Sequence, residues 1–187
     1  MKIFIKNMVC HRCVMAVRKE LEKLNLGIKS ITLGEVELQK KPSEKQITIL
    51  SKRLTDLGFE ILDNQKQKQI EKIKTLLIQQ VQSGEIKEHF SITEFLSKSM
   101  NRDYSYLSRL FSEVEGITLE QYFILQKIEK VKELLIYGEK NTTEISYLLG
   151  YSSVAHLSAQ FKKITGFTPS GFKKIGGHRK FLDEVKT

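Results

Sequence analysis

Hydrophobic residues change their spacing near residue 64, and the change divides the chain into two kinds of structure. Before it, short alternating stretches flank two helical ones. Ile3 and Ile5 alternate with Lys2, Phe4 and Lys6, the period-two pattern of a strand with one buried face. From about Arg12 to Leu24, Val14, Val17, Leu21 and Leu24 recur at helical spacing, and Asn25 and Gly27 supply a stop. Ile28–Leu33 and Glu35–Leu38 alternate around Gly34, as strands joined by a tight turn do. Pro42-Ser43 opens a second helix carrying Ile47, Leu50, Leu54 and Leu57; Gly58 ends it, and Phe59-Glu60-Ile61-Leu62 makes a last strand. Residues 1–63 are thus predicted to run βαββαβ, the split βαβ order of ferredoxin-like folds.

The polar stretch Asp63–Gln69 marks a boundary and runs into a helix instead of a loose linker. Ile70, Ile73, Leu77 and Val81 then share one helical face over Ile70–Val81. Ile92–Met100 and Asp103–Val114 read as a helix pair, Leu119–Tyr137 as one long helix, and Thr143–Leu149 with Ser153–Ile164 as a second pair. The expected fold class is α+β. A ferredoxin-like domain over 1–63 precedes an all-α domain over 64–175, in which a long helix joins two helix-turn-helix units; a basic tail follows over 176–187.

The two helix pairs are copies of one pattern. Leu107, Ser108, Phe111, Gly116 and Thr118 recur fifty residues later as Leu157, Ser158, Phe161, Gly166 and Thr168. Val114 and Tyr122 recur as Ile164 and Phe172. Leu-x-x-x-Phe puts two apolar side chains one turn apart on one helix face, and the Gly that follows adopts the left-handed conformation that ends a helix. In the first unit Leu107, Leu110, Phe111 and Val114 are expected to face the core, with Asp103 as N-cap. Tyr104, Ser105, Ser108, Arg109 and Ser112 are left for the outward surface. In the second unit the matching positions are Val154, Ala155, Ser158 and Ala159, small and mostly apolar, followed by Lys162 and Lys163.

Charge sharpens the picture. The net charge is +9, and from Ile145 to Leu182 there is no Asp or Glu, while Lys162, Lys163, Lys173, Lys174, Arg179 and Lys180 fall there. Phosphate contact requires such a stretch, since each Lys or Arg on a phosphate displaces condensed counterions. No apolar run approaches the roughly 18 residues of a membrane span. Met1-Lys2-Ile3-Phe4-Ile5-Lys6 is too short for a secretory signal, so a cytoplasmic location is expected. No Ser/His/Asp set, phosphate-cradling Gly loop or paired acid site stands out, and an enzyme is not expected.

Residues 65–175 resemble the DNA-binding domain of the AraC family of bacterial transcription regulators. The residues that carry the resemblance are Gly150-Tyr151-Ser152, Phe161-Lys162-Lys163 and Gly166-Phe167-Thr168-Pro169, together with the earlier Leu107-Ser108-Arg109-Leu110-Phe111 and Gly116-Ile117-Thr118. The resemblance implies double-stranded DNA as partner, RNA polymerase as a candidate second partner, and action as monomer or homodimer. The second helix of each unit would enter the major groove. Arg109 is the leading base reader there, its guanidinium suited to guanine O6 and N7. The second unit would read thymine methyls or bind mainly backbone through Lys162 and Lys163. Tyr106 and His156 occupy equivalent places and read as packing or phosphate-contact positions. A long helix of about 19 residues spans roughly 28 Å, close to the ~34 Å between successive major-groove segments.

Both cysteines lie in Met8-Val9-Cys10-His11-Arg12-Cys13, between the first strand and helix. This resembles the Met-x-Cys-x-x-Cys loop of heavy-metal-associated domains, which share the βαββαβ order. The resemblance implies Cys10 and Cys13 as ligands of a soft ion, Cu(I) or Zn(II), with Met8 and His11 as further candidates. The helix N-terminus and Arg12 are expected to favour the thiolates. The residues leave three readings open: a metal site, a thiol-redox switch, or a metal-free association module. The alternative function for the whole chain is a metallochaperone or metal-storage protein using this loop.

Overall fold

The computed structural model describes residues 1–175, so the predicted basic tail, 176–187, lies outside the described residues. The chain divides into two compact units, Met1–Thr75 and Leu76–Thr187.

Unit 1 contains β1 (Lys2–Lys6), α1 (His11–Lys23), β2 (Ile28–Thr32), β3 (Glu35–Leu38), α2 (Glu44–Asp56) and β4 (Glu60–Leu62), the expected βαββαβ order. The strands form one sheet in the order β2-β3-β1-β4, with every neighbouring pair antiparallel. Alternation along β1 and β3 places Ile3, Ile5, Val36 and Leu38 in one core with Val17 and Leu21 of α1 and Leu50 and Leu54 of α2. Residues of opposite parity carry charge instead: Lys2 pairs with Glu35 at 2.6 Å and Lys29 with Glu37 at 2.8 Å. A capping box starts α2, with Ser43 Oγ accepting from Gln46 N at 3.3 Å and Gln46 Oε1 accepting from Ser43 N at 3.0 Å.

The helix α3 (Gln65–Gln82) follows directly. The predicted boundary at 63/64 therefore differs from the observed division, which falls inside α3. The polar stretch is this helix's first turn, and the buried positions Ile70, Ile73, Leu77, Ile78 and Val81 run through the division without a break.

Unit 2 continues with α4 (Ile92–Met100), α5 (Tyr104–Glu115), α6 (Leu119–Tyr137), α7 (Thr142–Leu148), α8 (Val154–Thr165) and α9 (Pro169–Lys174). The two predicted pairs are α4/α5 and α7/α8, and α6 is the long connecting helix. Prediction had no counterpart for α9, although Thr168 caps it and Pro169 occupies its first position, both standard helix starters.

Candidate nucleic-acid interface

Each unit closes in the same way. Gly116 and Gly166 end α5 and α8 in the left-handed conformation, with φ of 74° and 79°. Two residues later Thr118 and Thr168 begin the next helix, each Oγ1 accepting a backbone N–H at 3.1 Å, from Gln121 and Gly171. The Gly-x-Thr repeat is thus a stop followed at once by a start. It folds Tyr122 back onto Phe111, ring centres 5.3 Å apart, and Phe172 back onto Phe161 at 5.4 Å. Leu107, Phe111, Leu157 and Phe161 are all fully buried. The repeated apolar residues therefore build two cores, and the outward positions of α5 and α8 take no part in them.

The helices that lead into α5 and α8 are stopped differently. Asn101 takes the left-handed conformation after α4, and Asp103 caps α5 by accepting from the N–H groups of Ser105 (2.9 Å) and Tyr106 (3.3 Å). The Ser105 hydroxyl and those two backbone donors hold the Asp103 carboxyl below its usual range. In the second unit Gly150, at φ +65°, makes the turn, and Ser153 caps α8 by accepting from His156 N at 3.0 Å.

Sequence-predicted contact residues mostly reach the surface. On α5, Ser105 and Arg109 are exposed, while Ser108 and Ser112 are half-buried. Arg109 enters no ion pair among the described residues. On α8, Ala155, Ala159, Lys162 and Lys163 are exposed, with Val154 and Ser158 half-buried. Tyr104 is placed otherwise than an open contact residue: it is half-buried and its hydroxyl donates to the Glu120 carboxylate. Burial, then Glu120, keep this phenol protonated, and it ties α5 to the first turn of α6. Val114 corrects an expectation. It is 47% exposed, not in the core, because Leu119 and Tyr122 of the following helix close that end and the last turn of α5 runs past it.

One group of residues had no prominent sequence signal. Lys127 of α6 is buried, and its Nζ sits 3.7 Å from the ring centre of Tyr151. The Tyr151 hydroxyl donates to Gln160 Oε1 at 2.8 Å, linking the ring to α8. A lysine among Phe123, Gln126 and Ile128 reads as surface from periodicity alone; the Tyr151 ring, with Phe123 at 6.0 Å, makes its burial tolerable. Burial pushes its ammonium down to about 8 from 10.5, while the ring favours the charged form. Between those two values the unfolded chain binds more protons than the folded one. Folding stability is therefore expected to rise with pH through the window from about 8 to 10.5, by on the order of 3 kcal/mol or less. Urea unfolding of the wild type and of Lys127→Met across this range isolates the term; a constant difference between the two would count against it.

In unit 1 the two thiols lie together, Cys10 Sγ to Cys13 Sγ 3.5 Å, at the start of α1. Cys10 is exposed and Cys13 half-buried. Burial is the largest influence on Cys13 and raises its thiol, against the expected thiolate stabilisation. Met8 is 2% exposed within the core cluster, so it is a packed anchor of the loop and not an open sulfur ligand. His11 is exposed. Among the described residues, no group of three or more His, Cys, Asp or Glu side chains is placed to hold a metal ion.

Residues 96–175 match the family model described as a helix-turn-helix domain. The chain is 23% identical over 107 residues to the probable transcriptional regulator LumQ of Photobacterium leiognathi, covering 57% of this chain and 43% of that protein. It is 29% identical over 133 residues to the HTH-type transcriptional regulator YdeC of Bacillus subtilis, covering 70% of this chain and 44% of that one. The chain thus spans less than half the length of these relatives. The C-terminal domain of AraT, a response regulator from Geobacillus stearothermophilus, shares the fold with a TM-score of 0.50 at 23% identity, over 60% of this chain and 89% of that structure. Among the described residues no helix is long and apolar enough to cross a membrane.

Proposed function

We propose that this protein is a transcription regulator of the AraC type that binds double-stranded DNA sequence-specifically through α5 and α8. The observation that carries the reading is the pair of helix-turn-helix units with the same stop-and-start closure and outward strips that the core does not use, Ser105/Ser108/Arg109/Ser112 and Ala155/Ser158/Ala159/Lys162/Lys163. Each second helix presents its strip to a major groove, and the 19 residues of α6 span roughly 28 Å, near the ~34 Å repeat of the duplex. Arg109 reads a base; Lys162 and Lys163 hold phosphates.

Binding to duplexes with and without the preferred site, measured across a salt series, tests this. Arg109→Ala should lose about 1–3 kcal/mol of discrimination at one base pair. Lys162→Ala should weaken binding to every sequence alike and reduce the log–log salt slope by about one. The same effect of both substitutions on all sequences would refute the division of roles.

For unit 1, the strand order β2-β3-β1-β4 with its two connecting helices supports the ferredoxin-like reading. We assign the Cys10/Cys13 loop as its sensing element. Two thiols 3.5 Å apart, with no third ligand group beside them among the described residues, fit a soft ion held by two sulfurs, as Cu(I) is, and do not complete a four-coordinate zinc site. When bound, such an ion would neutralise the thiolates at the head of α1. The same pair also fits reversible thiol oxidation.

A further inference from the structure

Resting on the DNA-binding reading above, we propose that His156 is the directional base reader of the second unit, donating from Nε2 to an acceptor on the major-groove edge, guanine foremost. Recognition helices present their N-terminal residues to base edges. In that half of α8, Val154, Ala155 and Ala159 carry no hydrogen-bonding group on their side chains. Ser153 spends its hydroxyl on the cap and Ser158 is half-buried. His156 is exposed and supplies the remaining polar atom.

Its ring is held on two sides. Nδ1 lies 3.1 Å from Ser152 Oγ, and the ring meets Tyr151 edge-on, centres 5.3 Å apart at 88°. Tyr151 is itself immobile: it is 2% exposed, bonded to Gln160 and seated over Lys127. A ring fixed in this way carries its other nitrogen, Nε2, in one direction and loses little freedom on contact. In the tautomer whose Nδ1 accepts from the Ser152 hydroxyl, the ring proton sits on Nε2 and that atom is a donor. Guanine offers two adjacent acceptors, O6 and N7, in the major groove. Ala155 and Ala159, exposed one and three residues away, are small and leave room beside the imidazole.

The full chain is first used to select its preferred site from random duplexes. Every single-base variant of that site is then bound to the wild type, His156→Ala and Ser152→Ala. His156→Ala is expected to lose roughly 5- to 100-fold of the preference at one base pair, with preferences elsewhere kept within about twofold. Ser152→Ala should lose part of the preference at that same pair. Since position 156 is exposed and Ala is a strong helix former, thermal unfolding of the variant should match the wild type. A uniform drop over all sequences, or no change, overturns the assignment. Selection of no site by the wild type would instead defeat the DNA-binding reading itself, and this inference with it.

Discussion

Replacing Phe161 by Ala is expected to destabilise unit 2 by about 3–5 kcal/mol, the range for deleting a fully buried aromatic ring. Phe161 has no exposed surface, and its ring is packed edge-to-face with Phe172 at 79°, so truncation loses both buried area and the aromatic contact that turns α9 back on α8. Typical domain stabilities are only about 5–15 kcal/mol, so the loss is a large share. Hydrogen exchange followed residue by residue measures it: amides of α8 and α9 should lose protection while those of unit 1 keep theirs. The control is Phe167→Ala. That ring is 47% exposed, and its removal should stay within about 0.5 kcal/mol. Equal losses at the two positions would contradict the assignment of Phe161 to the repeated core.

Gly150→Ala is the second large effect. A Cβ there would lie 2.7 Å from the Lys87 carbonyl oxygen and 2.8 Å from both Ile86 O and Ile86 Cγ2, at a φ of +65°. The neighbours in the way are mostly backbone and are themselves pinned, because Ile86 N donates to Leu148 O at 3.0 Å and Ile86 pairs with Leu149 in a bridge. Left-handed strain alone costs roughly 1–2 kcal/mol in a residue with a side chain. With the collision added, a loss above about 3 kcal/mol is expected. Gly166→Ala separates the two causes. It has a similar φ of +79° but nothing within 4 Å of the added methyl, so only the strain should appear. Denaturant unfolding of the two variants gives the comparison, and a Gly150 loss no greater than that at Gly166 would remove the close approach from the explanation.

Periodicity carried the βαββαβ order, the duplicated pairs and the long helix, because each depends on apolar residues repeating along one element. Leu107, Leu110 and Phe111 were readable for that reason. Val114 was not, since its exposure depends on what the next helix brings to the same end, which spacing within α5 does not contain. The polar stretch before Ile70 reads as running into a helix, and α3 begins there at Gln65; the spacing along that helix carries no mark of the division after Thr75. At the candidate interface the outward residues of α5 and α8 follow from subtraction: they are what the core leaves over. Tyr104 shows where subtraction fails, as its hydroxyl is engaged by Glu120, sixteen residues away. Tyr151 and His156 stand out in the sequence, but the seat of Lys127 of α6 against the Tyr151 ring is a tertiary contact that no local pattern announces.

The same stop-and-start closes both helix pairs, and it is built from residues that face inward or cap a helix. Side chains on the opposite surface can therefore be exchanged without unfolding either pair. Serine and arginine on α5, alanine and lysine on α8, already sit on one and the same closure.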